Sequence, residues 1–370
     1  MHSNTFGHIL QLTTFGESHG KAMGGIITGF PAGIDIDVDF IQQELDKRKP
    51  GQSSLTTSRN ESDAIQILSG VMNGKSLGTP IGFIIPNADQ QSKDYDVLKD
   101  VFRPSHADYT YEKKYGIRDH RGGGRSSARE TVCRVAGGAF AKHILQLSGI
   151  DVHAYVHQIS NIHIPENATF NLSETYHHPV RCPHKATADQ MEAAIQQAKQ
   201  SGDTLGGIIS VVISGVPAGL GQPVFAKLNA DLAHACMGIN AVKGVEFGGG
   251  FDMASKQGSE VNDRFVKSES DGSIQTQTNY SDGIQGGISN GMEIRFNVAF
   301  KPVATIQQPI ETIDKEGNAV VMEAKGRHDP CVLPRAAIIV ESMSAWVLAD
   351  HYLWSGLDNW DKIKKLHSSI

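Results

Sequence analysis

Cysteine is scarce in this chain: four residues in 370, at 133, 182, 236 and 331. None forms a C-x-x-C pair or a zinc-ligand spacing, which argues against a disulfide framework or a structural zinc centre. Four scattered cysteines read as reduced, buried thiols of a cytoplasmic protein. Long apolar runs are also missing. The longest stretches, such as 208–213, are strand-sized, far short of the roughly 18 residues a membrane span needs. The first ten residues lack a basic segment followed by an apolar one, so no secretory signal is read. G-x-G-x-x-G, H-E-x-x-H and EF-hand patterns are absent, and no metal site is expected. Residues 70–76, G-V-M-N-G-K-S, fall one residue short of a P-loop and read as a turn.

Glycine, by contrast, is abundant at 39 residues, and there are 16 histidines. The glycines have no three-residue period, which excludes collagen. A hydrophobic share of 39 % supplies a core and excludes disorder. The net charge of −6 argues against a general nucleic-acid binder. Residues 103–142, however, hold nine Lys/Arg against four Asp/Glu, a local +5 that leaves −11 elsewhere. A basic patch in an acidic protein points to a small anion more than to a polyanion track.

Apolar residues at helical spacing predict helices over 38–49, from Ser127 onward, from Thr187 to Gly202, and over 336–353. Another stripe runs Phe225, Leu228, Leu232, Cys236, Ile239. Ser127 and Glu130 have capping-box spacing. Strands are expected at 25–30, 65–68, 81–85, 208–213 and 319–322, with strict alternation over 292–300. Strands and helices do not alternate as βα units, so the expected class is α+β with long functional loops at about 87–126 and 240–290.

The strongest local feature is Arg121-Gly-Gly-Gly-Arg125-Ser-Ser-Ala-Arg129-Glu130-Thr131. Glycines let backbone approach a partner closely, and a helix start offers free N–H groups to an anion. Arginines there oppose the helix dipole, which an anionic ligand would explain; the plainer reading is an exposed basic helix start. His19, between Gly16-Glu17-Ser18 and Gly20, and His106, in Arg103-Pro-Ser-His106-Ala-Asp108, stand in reachable contexts rather than packed ones. Arg327-His328-Asp329-Pro330 offers an anion contact and a base, or simply an ion pair at a turn. Lys301 and Thr305 could hold a phosphate.

Taken together and in this order, the His19, Arg121–Thr131 and Arg327–Pro330 motifs resemble the three signatures of the chorismate synthase family. The likeness extends over residues 103–119 and 286–291 and runs from about Phe6 to Leu353. It implies a single catalytic domain over 1–370, with a β-α-β sandwich of antiparallel sheets and helices packed between them. It also implies a carbon–oxygen lyase of the shikimate pathway, a flavoprotein in aromatic amino acid biosynthesis. Such enzymes convert 5-enolpyruvylshikimate 3-phosphate to chorismate and phosphate by anti-1,4-elimination, requiring reduced FMN without net redox change.

By that resemblance His19 protonates the departing phosphate and His106 protonates or holds the reduced flavin. Asp329, with Ser18 or Ser127, relays a proton at flavin N5. Arg48, Arg129 and Arg327 are candidates for substrate anions. The flavin site takes in Arg125, Ser126, Ser127, Asn240, Ala241, Gly286, Arg327 and the stretch Lys301, Pro302, Val303, Ala304, Thr305. One departure is Ser54, where many bacterial members carry an arginine; Arg59 nearby does match. The resemblance further implies a homotetramer. With no dinucleotide motif for NADP or NAD, reduced FMN is expected from a separate flavin reductase, and no nucleic-acid or membrane partner is expected. A flavin-dependent oxidoreductase acting on a small phosphorylated acid is the alternative, and a non-catalytic phosphate-binding protein is the other.

Overall fold

The computed structural model describes residues 3–52, 55, 62–87, 99–269, 272–322 and 329–368. Its amino-terminal part holds strands β1 (Thr5–Phe6), β2 (Gln11–Gly16), β3 (Ala22–Thr28), β4 (Gln66–Ile67), β5 (Val71–Met72), β6 (Lys75–Ser76) and β7 (Ile81–Pro86). Five of these form an antiparallel sheet in the order β1-β2-β3-β7-β4, and β5 and β6 make a separate hairpin. A second antiparallel sheet, β11-β16-β10-β8-β9, is built from β8 (Asp151–Ile159), β9 (Ile162–His163), β10 (Gly207–Ser214), β11 (Val242–Phe247) and β16 (Ile294–Phe300). Three short hairpins complete the strands: β12 (Phe265–Lys267) with β13 (Ile274–Thr276), β14 (Ile284–Gln285) with β15 (Ile288–Ser289), and β17 (Ile310–Ile313) with β18 (Ala319–Met322).

Between the sheets run α1 (Val38–Arg48), α3 (Thr131–Leu147) and α6 (Leu333–Trp354), while α2 is Asp108–Tyr115, α4 Lys185–Gln200, α5 Leu228–Met237 and α7 Trp360–Ser368. Helix α3 packs on β2 and β3 of the first sheet, α6 on β8 and β10 of the second, and the two helices pack on each other. This is the expected sandwich of antiparallel sheets around helices. The two inner faces follow from alternation. Ile81, Phe83 and Ile85 of β7 are buried, as are Ile294, Phe296, Val298 and Phe300 of β16.

The helix layer is thin because α3 carries Gly137 and Gly138. A Cβ on Gly138 would stand 2.3 Å from Ser342 Cβ on α6, and one on Gly137 would stand 2.8 Å from Leu12 Cδ2 on β2. One glycine thus admits the neighbouring helix and the other the sheet. At the far end of α6, the Asp350 carboxylate accepts the backbone N–H groups of His8, Ile9 and Leu10 at 2.6, 2.7 and 2.8 Å.

Several expectations shift. The capping box does not close: Ser127 Oγ accepts from Arg129 N at 3.3 Å, and Glu130 pairs forward with Arg134 at 2.9 Å. A 3-10 turn at Ala128–Glu130 intervenes before α3. Helix α4 begins two residues before Thr187, whose hydroxyl lies 2.7 Å from His184 Nδ1. Phe225 lies outside α5 and is 95 % exposed. The segment 87–126, expected as loop, contains α2, and 240–290 contains β11 to β15. Residues 70–76 form the β5–β6 hairpin, with Asn73 and Gly74 at φ +51° and +76°, the left-handed pair such a turn requires. All four thiols are buried, which pushes Cys133, Cys236 and Cys331 up to about 12 and Cys182 to about 11. Among the described residues no helix is long and apolar enough to cross a membrane, and no group of His, Cys, Asp or Glu is arranged for a metal.

Candidate active site

Strand β2 ends at Gly16, whose φ of +100° turns the chain out of the sheet and presents Glu17, Ser18 and His19. Ser18 Oγ lies 3.2 Å from His19 Nδ1, and both side chains are buried. The glycine run packs against this turn. A Cβ on Gly122 would stand 2.1 Å from His19 Cε1, on Gly123 3.3 Å from His106 Cε1, and on Gly124 2.5 Å from Glu17 Oε2. All three have positive φ, at +65°, +90° and +56°. Their lack of side chains therefore serves a close approach to the two histidines and Glu17. Burial raises the Glu17 carboxyl, with Arg125 opposing the shift.

Beside this loop lies a cavity of about 400 Å³. Arg48, His106, Ser126, Ser127, Arg129, Asn240, Ala241 and Asp329 line it, together with the whole stretch from Lys301 through Pro302, Val303 and Ala304 to Thr305. Gly122 also lines it, so His19 stands directly behind its wall. Ile239, Phe300, Val332 and Ile339 give it an apolar side. Arg125 does not line the cavity. Its guanidinium turns to β2, donating to Thr14 Oγ1 at 2.6 Å and Gly16 O at 3.3 Å. Gly286, in the β14–β15 hairpin, is not part of the lining either. Arg327 and His328, with Ser54 and Arg59, lie outside the described residues.

The basic segment is mostly neutralised from within and without. Arg103 grips both oxygens of Asp108 at 2.7 and 2.8 Å, Arg118 adds a contact at 3.1 Å, and His106 Nδ1 lies 3.0 Å from Asp108 Oδ1. Although burial disfavours its charge, these donors hold the Asp108 carboxyl far below the usual carboxylate range. Arg121 forks onto Asp119 at 2.9 and 3.0 Å. Lys142 pairs with Glu44 and Glu341, which keep it charged despite burial.

Two residues escape sequence reading. Asp63, fully buried, joins Arg48 Nη1 at 3.1 Å to Arg129, so one carboxylate sets both cavity arginines. Nothing in its polar surroundings marks it. Arg335 stands 2.6 Å from Asp329 Oδ2 and donates to Arg48 O at 3.1 Å. An arginine in the first turn of α6 opposes the helix dipole, the signal that drew attention to Arg129, and it could have been found that way. Lys301 is lowered by burial and by Lys243, and its Nζ reaches Ser105 O at 3.4 Å. Asn240 Nδ2 donates to Ser126 O at 2.9 Å, while its Oδ1 is buried with no hydrogen-bond partner among the described residues.

The family model described as chorismate synthase matches residues 10–353. A chorismate synthase of Azobacteroides pseudotrichonymphae is 58 % identical over 353 residues, covering 95 % of this chain and 99 % of its own. One from Parabacteroides distasonis is 58 % identical over 351 residues, covering 95 % and 98 %. A solved crystal structure of chorismate synthase superposes with a TM-score of 0.76 at 31 % identity, covering 98 % of each chain. Whole-length likeness in sequence and in fold leaves one conclusion: the chain belongs to the chorismate synthase family of lyases.

Proposed function

We propose that the 400 Å³ cavity carries out the anti-1,4-elimination of phosphate from 5-enolpyruvylshikimate 3-phosphate, giving chorismate, with reduced FMN bound beside the substrate. The observation that carries this reading is the convergence of His106, Ser127, Arg48, Arg129 and Asp329, from four separate stretches of chain, on one partly apolar cavity.

The residues suit a flavin. The apolar side formed by Ile239, Phe300, Val332 and Ile339 matches a ring system, and the orphaned Asn240 Oδ1 needs an N–H donor such as a flavin ring supplies. Ser126, Ser127, Ala241 and the 301–305 stretch would hold it. Reduced FMN there supplies electron density and an acceptor for the C6 hydrogen. Arg48 and Arg129, set by Asp63, offer forked donors to the substrate's phosphate and carboxylates. His19 delivers a proton to the phosphate oxygen as the C3–O bond breaks, so phosphate leaves with its new charge neutralised. His106, tied at Nδ1 to Asp108, keeps Nε2 for the flavin. Asp329, steadied by Arg335, accepts and returns a proton with Ser127 or Ser18. Gly286 and Arg125 support the flavin site from outside the lining.

The chain works as a single catalytic domain in the cytoplasm, as a homotetramer, with reduced FMN delivered by a separate flavin reductase. The test is anaerobic incubation of purified protein with 5-enolpyruvylshikimate 3-phosphate and chemically reduced FMN. Chorismate and phosphate in equal amounts are expected; neither appearing would overturn the reading. NAD(P)H consumption by the pure protein would overturn the need for a separate reductase, and a sedimentation mass other than four chains the tetramer.

A further inference from the structure

Arg335 lines a second cavity as well, of about 150 Å³, whose wall includes Gln52, Tyr176, His177 and Arg181. Arg181, half-buried, is unusual among the arginines withdrawn from solvent. Arg48, Arg103, Arg118 and Arg129 each meet a carboxylate. Arg181 meets none among the described residues: Nη1 donates to Tyr176 O at 3.0 Å, Nη2 to Gln52 Oε1, and the guanidinium lies over the Tyr176 ring at 5.0 Å. Its Nε is buried with no hydrogen-bond partner among the described residues. A cation partly withdrawn from water without a counter-charge loses solvation, and the buried Nε left without an acceptor adds to the cost.

The backbone deepens the anomaly. Arg181 has φ +65°, a conformation that L side chains rarely adopt. Two backbone bonds hold it there, Val156 N to Arg181 O at 2.9 Å and Arg181 N to His178 O at 2.9 Å. Strain at a half-buried charge with no carboxylate partner among the described residues, lining a cavity, is the pattern of a binding position. His177 stands at the rim, its Nδ1 taken by Glu174 Oε2 at 2.6 Å, which leaves Nε2 for a ligand.

We propose that this second cavity binds a small tetrahedral oxyanion of the phosphate class, held by Arg181 and Arg335, and that its occupancy loosens the Arg335–Asp329 pair. Two forked guanidinium groups in one lining suit such an ion, and a volume of about 150 Å³ admits it. Free phosphate and the end of a small phosphomonoester share this chemistry. The binding stands independently of the proposed reaction, whereas the coupling to Asp329 rests on it.

Crystals of the full chain soaked in selenate should show an anomalous peak within hydrogen-bond distance of Arg181 Nε, replaced by density for inorganic phosphate in a parallel soak. An empty cavity at tens of millimolar of either ion would overturn the site. Methyl phosphate entering the same position would identify an ester as an acceptable source, and its exclusion would assign the site to the free ion. In solution Arg181→Met should weaken phosphate at this site by about tenfold, and His177→Ala, at an exposed rim position, by about threefold. Unchanged affinity in the His177→Ala protein and in a folded Arg181→Met protein would overturn the assignment. In turnover assays phosphate should inhibit with a competitive and a noncompetitive part, and Arg181→Met should remove only the second. Purely competitive inhibition of the unaltered enzyme would overturn the coupling. If no chorismate forms at all, the proposed reaction fails and the soaks alone decide the site.

Discussion

His106 Nδ1 lies 3.0 Å from Asp108 Oδ1, and through that carboxylate the imidazole is joined to Arg103 and Arg118. The contact fixes which ring nitrogen carries the proton toward Asp108, leaving Nε2 for the cavity side. Replacing Asp108 by Asn would leave two buried guanidinium groups without their shared counter-charge. A loss of about 3–5 kcal/mol in chemical denaturation is expected. Asp108 is held well below its unfolded value of about 4, so the folded state binds fewer protons. Its contribution is therefore present above about pH 4 and is lost progressively as pH falls below it. The Asn variant should show a flatter acid limb, and an unchanged limb would contradict the network's role.

His19 and Gly122 offer a paired test of the proposed proton donor. His19→Ala should lower kcat by at least about a hundredfold while flavin affinity, read by fluorescence quenching, stays within about twofold. Gly122→Ala adds a Cβ 2.1 Å from the His19 ring at a φ of +65° and should reproduce the kcat loss without removing the imidazole. Collapse of flavin affinity in His19→Ala would make His19 a cofactor contact instead.

The alternation over 292–300 was enough to place β16 and its buried face, and the helical spacing of apolar residues over 336–353 to place α6, because each depends on its own periodicity. The candidate site was legible where its residues fall in contiguous motifs, at Gly16–Gly20 and Arg121–Thr131, which the fold brings together beside the cavity. Asp63 was not, because its meaning comes entirely from two arginines 15 and 66 residues away. The local charge excess over 103–142 also misled in part. Asp63, Glu44 and Glu341 compensate Arg129 and Lys142 from outside the segment, a pairing only the fold creates. Helix α2 went unread because its eight residues are polar and nearly all round exposed.

The thin helix layer should be intolerant of a single methyl group. Gly138→Ala would push against Ser342 backbone and side chain, with 2.6 Å to its Cα, where no rotamer change relieves the clash. A destabilisation of about 1–3 kcal/mol by denaturant titration is expected. The Gly138→Ala, Ser342→Gly double variant should recover part of it, since the Ser342 Cβ is then gone.

Asp282 yields the opposite pH dependence to Asp108. Burial raises its carboxyl to about 7, with Arg295 opposing and Asp263 assisting, and its Oδ2 has no hydrogen-bond partner among the described residues. Between about pH 4 and 7 the folded state holds a proton the unfolded chain has lost, so stability falls as pH rises through this window. Asp282→Asn should stabilise the protein at pH 8 and leave it unchanged at pH 4, read by thermal melting at both values. Equal melting shifts at the two pH values would contradict this.

The clasp between Asp350 and the N–H groups of His8, Ile9 and Leu10 has a bearing on biosynthesis. The residues just ahead of strand β2, which leads to His19, are anchored by a carboxylate made about 340 residues later, so this latch closes only after that carboxylate exists. Until residue 350 has emerged, that stretch has no carboxylate to close on. A chain cut short ahead of α6 would be left without the latch on its opening strands.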